Sequence, residues 1–173
     1  EAFARLLDVQ ERLRKECPRD RKQTYESLRP NTIEEVFELC DALMKDDSEN
    51  ICKELGDVME HVLFYSIIGE ETNDFDMGDV CNKQADKLMF RHDFINWNKE
   101  GNWKVTNPDL VIDEYGRVVY RDELKTDDLP VGDAYKPSTA NEVEMTWEQR
   151  KQKERDGNKT VLSGVPDALP SLI

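Results

Sequence analysis

The sequence predicts an all-α protein, an antiparallel bundle of helices with an inserted β-hairpin. Apolar residues recur at helical spacing in four segments within residues 2–92. The connections between these segments are short, which favours antiparallel neighbours. Alternating apolar residues that flank a turn occur only after residue 96. We therefore expect a single helical domain over residues 1–173, with an inserted hairpin and loop region at about 97–141.

The first two helices are predicted from apolar spacing and end signals. The first covers residues 2–16 and has an apolar stripe made of Phe3, Leu6, Leu7, Val9 and Leu13. The second is expected to begin after Thr32 as N-cap and to run to about residue 45, with Glu35 completing a capping box. Its predicted core stripe consists of Ile33, Val36, Phe37, Cys40 and Met44.

The remaining elements follow from the same patterns. Ser48 is the expected cap of a third helix, which runs to about residue 69, and a fourth helix is predicted over 77–92. Residues 110–112 and 118–120 are predicted as the strands of a hairpin that turns at Tyr115 and Gly116. Helical pattern returns at 142–157, and an irregular tail follows.

Charge limits the classes of partner. The formal net charge is -14 and 36% of the residues are charged, so a nucleic acid or an anionic membrane surface would be repelled by most of the protein. A phosphate-bearing ligand must therefore meet a local cation. No apolar run approaches the roughly 20 residues that cross a bilayer. The four cysteines lack CxxC spacing, which predicts reduced, buried thiols in the cytoplasm.

Acidic residues border the core stripes of two consecutive helices. The segment "IEEVFELCDAL" holds Glu34, Glu35 and Glu38, and "KELGDVMEH" holds Glu54 and Asp57. Two antiparallel helices with carboxylates one turn apart can bring four of them together, where they cannot all stay ionised cheaply without a cation. Oxygen ligands favour Mg²⁺, or alternatively Mn²⁺. Spacing alone does not distinguish a metal site from an alternative interpretation, in which these residues form solvated helix faces and Glu35 is a helix cap.

Four segments of the chain resemble, in order, the MazG family of nucleoside triphosphate pyrophosphohydrolases. They are "CPRDRKQTYESLRPNTIEEVFELCDAL", "KELGDVMEHVLFY", "DKLMFRH" and "NKTVLSGVPDALPSLI". The resemblance covers about residues 3–95 and 142–173 and leaves the hairpin region outside it. The sequence departs from the family pattern at Arg19, where a Trp is usual, and in the segment "HDFIN", where "HPHVF" is usual. These departures concern nucleotide selectivity more than the metal site.

The resemblance implies specific roles for these residues. The metal ligands would be Glu35, Glu38, Glu54 and Asp57. Glu34 would support these ligands without binding the metal, or would act as a base that orients the attacking water. The family's cationic motif falls on Lys87 and Arg91, and a family tryptophan falls on Trp147, which would contact the base. The implied reaction converts a nucleoside triphosphate to a monophosphate and pyrophosphate, with Mg²⁺ as cofactor. Helices of two subunits would complete the bundle in a homodimer or higher homo-oligomer.

Two other functions remain alternatives at this point. Pyrophosphatases specific for dUTP or dCTP belong to the same helical superfamily and share paired carboxylates on helices. A non-catalytic acidic interaction module is an alternative of another class, in which the hairpin region contacts a protein partner. The chain begins at Glu1 without Met, which is expected of a piece of a longer protein.

Overall fold

A computed structural model describes residues 1–125 and 137–155. The helices are α1 (Ala2–Glu16), α2 (Tyr25–Met44), α3 (Ser48–Glu71), α4 (Met77–Arg91) and α5 (Ala140–Gln152), and the strands are β1 (Leu110–Ile112) and β2 (Val118–Tyr120). Single 3₁₀ turns lie at Asp20–Lys22 and Glu123–Lys125. The predicted all-α class with a hairpin insertion is confirmed. The chain divides into two compact units, residues 1–81 and 82–173, which are described separately.

The first unit is built on the helical hairpin of α2 and α3. A short turn at residues 45–47 joins the two helices, and Asp46 adopts a left-handed backbone there, with φ of 52°. Helix α1 packs on α3. Arg14 of α1 fixes this arrangement, because its guanidinium pairs with Glu71 at 2.7 Å and donates to the carbonyl oxygen of Gln23 at 3.0 Å. The buried apolar residues of the unit include Leu28, Leu63, Phe64, Ile67 and Ile68.

The predicted start of the second helix is wrong. Helix α2 begins at Tyr25, because Thr24 and Ser27 form a reciprocal capping box. The hydroxyl of Thr32 instead donates to the carbonyl of Leu28 at 3.1 Å and lies 2.6 Å from His61 Nδ1 on α3. Thr32 therefore links α2 to α3 inside the helix, and the capping role that explained Glu35 is removed. Similarly, the cap of α3 is Asp47 rather than Ser48.

The core stripe predicted on α2 is exposed in the single chain. Phe37 is 59% exposed and Met44 is 80% exposed, and the other exposed apolar residues of this helix include Ile33, Val36 and Leu43. On α3, Leu55, Met59 and Val62 are exposed as well. The prediction that the cysteines are buried is also wrong, because Cys40, Cys52 and Cys81 are exposed free thiols. Helical periodicity identified an apolar face but not what covers it.

The second unit is built around the hairpin. Strands β1 and β2 pair antiparallel with Leu110 opposite Tyr120, and Gly116 supplies the positive φ of 81° in the turn. Their inward side chains pack on Phe90 of α4, and this core also contains Met89 and Val118. Arg150 attaches α5, because its buried guanidinium donates to the carbonyl oxygens of Phe90 at 3.1 Å and Val118 at 2.7 Å. The hairpin region is thus a packed structure.

Two sequence predictions lie beyond the described residues. The tail segment "NKTVLSGVPDALPSLI" and residues 126–136 of the insertion are not among them. Helix α5 begins at Ala140, slightly before the predicted start, because Thr139 and Glu142 form a capping box. None of the helices in residues 1–125 and 137–155 combines the length and apolar character required to span a membrane.

Candidate functional site

Three of the predicted carboxylates meet in the first unit. Oxygen atoms of Glu35 and Glu38 on α2 and Glu54 on α3 lie within 4.8 Å of one another. The helical hairpin produces this arrangement, because residues one turn apart on α2 share a face that meets the first half of α3. A cleft of about 580 Å³ adjoins these residues and is lined by Glu34, Phe37, Glu38, Asp41, Ala42, Lys45, Asn50 and Glu54.

Glu54 is the most unusual member of this cluster. Its residue is 5% exposed, and its Oε2 atom is buried without a hydrogen-bond partner among the described residues. A buried carboxylate oxygen that lacks a donor is costly, and such groups in native structures are normally paired or bound to a metal. Its second oxygen, Oε1, accepts from Lys53 Nζ at 2.7 Å. The donor set, all carboxylate oxygen, therefore fits a hard divalent cation.

The charges around Glu35 are unbalanced. Burial raises the pKa of the Glu35 carboxyl above its ordinary value, and the nearby charges of Asp57 and Glu38 raise this pKa further. Glu35 therefore binds a proton more readily than an ordinary glutamate when no cation compensates the neighbouring charges. Lys53 supplies part of the compensation, and its hydrogen bond to Glu54 raises the pKa of the lysine.

Two other predicted residues lie beside the cluster. Asp57 is half-buried and pairs with Lys53, with 3.5 Å between Asp57 Oδ2 and Lys53 Nζ. It is not one of the three carboxylates that lie within 4.8 Å of one another. Glu34 lines the adjoining cleft together with Glu38 and Glu54. The structure thus places all five predicted acidic residues on the α2 and α3 hairpin, and three of them form the close cluster.

The predicted substrate residues lie in the second unit. The Arg91 guanidinium lies over the Trp147 ring, 4.6 Å from its centroid, so these two residues are together. Arg91 also forms a two-pronged ion pair with Glu154, in which Nη2 donates to Oε2 at 2.9 Å. Lys151 lies over the same ring, 4.9 Å from the centroid. Lys87 is exposed and lines a separate pocket of this unit.

Sequence reasoning missed several residues that contact the predicted ones, among them Lys53 and Glu154. Lys53 carries a readable signal, because it directly precedes Glu54 and is four residues before Asp57 on the same helix face. Glu154 carries no such signal, because it is 63 positions from Arg91 and only the packing of α5 brings them together. Local patterns therefore reveal partners within one helix but not those across the fold.

Comparisons with known proteins agree with this architecture. Residues 23–95 match the model of the MazG nucleotide pyrophosphohydrolase domain. A nucleoside triphosphate pyrophosphohydrolase from Escherichia coli (strain K12) is 29% identical over 98% of this chain and 52% of its own length. One from Thermotoga maritima, described as nucleoside triphosphate pyrophosphohydrolase/pyrophosphatase MazG, is 38% identical over 57% of this chain and 40% of its own. The chain spans about half the length of the first of these relatives.

A solved structure supports the same fold. The crystal structure of a mazG-related protein from Thermotoga maritima superposes with a TM-score of 0.55 at 21% sequence identity, covering 86% of this chain and 98% of the other. Together these findings support a helical fold of the MazG type, with the hairpin following the matched residues 23–95. Over residues 23–95 the chain is therefore similar to the MazG family.

Proposed function

We propose that this protein hydrolyses nucleoside triphosphates to nucleoside monophosphates and pyrophosphate, with Mg²⁺ as cofactor and Mn²⁺ as a substitute. The observation that carries the proposal is the buried, unpartnered Glu54 Oε2 beside Glu35 and Glu38. The relatives named as nucleoside triphosphate pyrophosphohydrolases support the reaction class. Both ribonucleotides and deoxyribonucleotides are proposed as substrates.

The acidic residues take the roles that the resemblance implies. Glu35, Glu38, Glu54 and Asp57 would hold the ion, which when bound would neutralise triphosphate charge and lower the pKa of the attacking water. Glu34, on the adjoining cleft, would orient this water. Lys53 would keep Glu54 and Asp57 in place, because its ammonium group pairs with both carboxylates.

Lys87, Arg91 and Trp147 are proposed as substrate-binding residues. Arg91 and Trp147 would act as one unit, since the guanidinium already lies over the ring. A phosphate group would replace the Glu154 carboxylate as the partner of Arg91, because bidentate pairing suits both anions. Trp147 would then offer part of its ring to the base.

A homodimer or higher homo-oligomer is proposed from the exposed apolar faces of α2 and α3. Side chains such as Val36, Phe37 and Val62 are exposed in the single chain, whereas soluble monomers rarely expose contiguous apolar patches of large size. We expect Val36→Glu together with Val62→Glu to yield a monomer by light scattering after size exclusion. At a protein concentration of about 50 µM a stable dimer remains associated. A wild-type protein that is monomeric at this concentration would contradict the proposal.

The proposed location is the cytoplasm. The support is that all four cysteines of the sequence are free thiols in the structure, as is usual in a reducing compartment.

The decisive experiment is a product assay on a panel of NTPs and dNTPs with Mg²⁺. Pyrophosphate rather than orthophosphate should accumulate, and Glu38→Gln and Asp57→Asn should each abolish turnover in folded protein. Absence of pyrophosphate from every nucleotide would favour the non-catalytic interaction module. Cleavage confined to dUTP or dCTP would favour the second alternative. Retained turnover in either variant would contradict the ligand assignment.

A further inference from the structure

Hydrogen bonds at Thr32 join helices α2 and α3 directly beside the acidic cluster. The Thr32 hydroxyl oxygen lies 2.6 Å from His61 Nδ1 and 2.5 Å from the Tyr65 hydroxyl oxygen, both on α3. All three side chains are half-buried, and hydrogen bonds are stronger where water is partly excluded. These three residues form the Thr32 junction, which ties the two helices together.

The donors and acceptors of the Thr32 junction follow from its geometry. The carbonyl oxygen of Leu28 lies 3.1 Å from the Thr32 oxygen and can only accept, so it takes the single hydroxyl proton of Thr32. His61 must then carry a proton on Nδ1 and donate it to Thr32, and the Tyr65 hydroxyl donates as well. This hydrogen bond fixes both the tautomer and the ring orientation of His61.

The antiparallel hairpin places the Thr32 junction one turn from two of the proposed metal ligands. Glu35 is three residues after Thr32 on α2, and Asp57 is four residues before His61 on α3, so each shares a helix face with its junction residue. Because the helices run in opposite directions, both steps lead the same way along the hairpin. Beyond the effect of burial, the charge of Asp57 raises the pKa of Glu35 and the charge of His61 lowers it, which agrees with this placement.

The carboxylates of α2 need such a link more than those of α3. Lys53 pairs with the two proposed ligands on α3, Glu54 and Asp57. Glu35 and Glu38 on α2 have neither an ion pair nor a side-chain hydrogen bond among the described residues. Close carboxylates repel one another when no cation is bound, and this repulsion acts to separate α2 from α3. A hydrogen bond between the helices one turn away opposes that separation.

We propose that His61 is a positioning residue of the metal site, which through its Nδ1 hydrogen bond to Thr32 holds Glu35 close to the carboxylates of α3. His61 is not one of the groups that lie within 4.8 Å of one another, so it acts through Thr32 and α2 rather than as a ligand. This inference rests on the proposed function in taking the carboxylates as metal ligands.

The test measures Mn²⁺ binding to the full chain by calorimetry without nucleotide, so that the result does not depend on turnover. His61→Ala and Thr32→Val each remove the hydrogen bond and should weaken Mn²⁺ binding about tenfold, as residues that support metal ligands typically do. Because both changes act through the same hydrogen bond, the double variant should bind Mn²⁺ about as tightly as the weaker single variant.

Two replacements of the imidazole ring separate the roles of its nitrogen atoms. An Asn amide places an N–H group near the position of Nδ1, whereas a Gln amide places one near the position of Nε2. His61→Asn should therefore bind Mn²⁺ within about twofold of wild type, and His61→Gln should lose as much affinity as His61→Ala. This pair decides the question if His61→Ala fails to fold.

A second measurement needs no metal. His61 and His92 are the two histidines of the chain, so the nitrogen NMR signals of the His61 ring are assigned by their absence from His61→Asn. At about pH 8, above the ordinary pKa of histidine, the neutral His61 ring should carry its proton on Nδ1. A proton on Nε2 instead would overturn the inference.

The matched control is the same substitution at the far end of α3. Thr72 donates to the carbonyl oxygen of Gly69 at 3.0 Å, so Thr72→Val also removes a hydroxyl hydrogen bond but should leave Mn²⁺ binding unchanged. Thermal unfolding checks the folding of each variant. An equal loss of Mn²⁺ affinity in Thr72→Val and Thr32→Val would mean that general destabilisation is the cause, and the inference would be wrong.

Three further results would overturn the inference. They are Mn²⁺ binding within about twofold of wild type in both His61→Ala and Thr32→Val, an affinity of His61→Asn as low as that of His61→Gln, and a wild type that binds no Mn²⁺.

Failure of the two proposals is distinguishable. If the wild type releases pyrophosphate but His61→Ala and Thr32→Val bind Mn²⁺ as the wild type does, the proposed function stands and the inference fails. If the wild type releases no pyrophosphate but the variants weaken Mn²⁺ binding as expected, the positioning role stands and the proposed reaction fails.

Discussion

Glu54 and Asp86 are two equally buried carboxylates in different regions of the molecule, with 5% and 4% exposure. In the second unit, both oxygens of Asp86 accept hydrogen bonds, because Thr106 and Asn107 supply donors to them. In the first unit, Glu54 bonds Lys53 through one oxygen and leaves the other without a partner. The Asp86 carboxylate organises the fold, whereas the Glu54 carboxylate has an oxygen atom free to bind another group.

The contrast extends to the neighbourhoods of these residues. Acidic residues of the helical hairpin lie close to one another, whereas Glu154 and Asp113 of the second unit are paired with arginines. Burial of an acidic residue is thus a poor indicator of function by itself. The informative quantity is the number of its oxygen atoms that have no donor.

Of the changes at Glu54 and Asp86, removing the charge of Glu54 should have the largest effect. Glu54→Gln is expected to lower pyrophosphate release more than about 100-fold, since even residues that only support metal ligands typically contribute 10 to 100-fold. The measurement is turnover of the preferred nucleotide at saturating Mg²⁺. Glu60→Gln, an exposed change on the same helix, is the control. Turnover within tenfold of wild type would remove Glu54 from the site.

The second-largest effect should be a loss of stability when Asp86 is changed. Asp86→Asn is expected to lower the free energy of unfolding by about 2–3 kcal/mol, because an amide group would face backbone N–H donors that now bond a buried charge. Urea unfolding followed by Trp97 and Trp103 fluorescence reports on this region. Asp109→Asn, an exposed change on the insertion, is the control. An unchanged midpoint would mean that Asp86 does not anchor the insertion.

A smaller effect on stability is expected when Glu54 is changed in the absence of metal. In metal-free protein, Glu54→Gln should change the free energy of unfolding by less than about 1 kcal/mol, because loss of the Lys53 hydrogen bond is offset by relief of carboxylate repulsion. Thermal unfolding in EDTA checks this. A loss as large as that of Asp86→Asn would indicate that Glu54 is a structural residue.

The smallest effect concerns the ion pair between Arg14 and Glu71. The Arg14 hydrogen bonds lower the pKa of Glu71 below its ordinary value. The pair therefore stabilises the fold above about pH 4.3, the unfolded pKa of glutamate, and this contribution is lost as the pH falls through the folded pKa. Because the Glu71 side chain is 45% exposed, solvent screening limits the contribution to less than about 1 kcal/mol.

The measurement is the urea midpoint of wild type and Glu71→Gln at pH 7 and pH 3. The two proteins should differ at pH 7, and the difference should be smaller at pH 3. Glu70→Gln, a neighbouring exposed acid without an ion pair in the described residues, should follow the wild type at both values. A constant difference between wild type and Glu71→Gln at both pH values would contradict the assignment.

Much of the fold was predictable because it depends on local spacing. The bounds of α1, β1 and β2 agree with the predictions from apolar periodicity and turn residues. The start of α2 was missed because the capping box at Thr24 and Ser27 lies ahead of Pro30, and Thr32 offered a competing local signal. Caps are decided by hydrogen bonds of single side chains, which several nearby residues can make equally well.

The sequence by itself determined the helices, the hairpin and the placement of acidic residues at one-turn spacing, since these depend on interactions between near neighbours. Only the tertiary structure decided which carboxylates meet, that Lys53 pairs with Glu54, and that Glu154 occupies Arg91. It also decided that the apolar stripe of α2 is exposed and that the insertion lines a pocket. These outcomes depend on burial and on distances between residues far apart in the chain, which spacing along one helix does not encode.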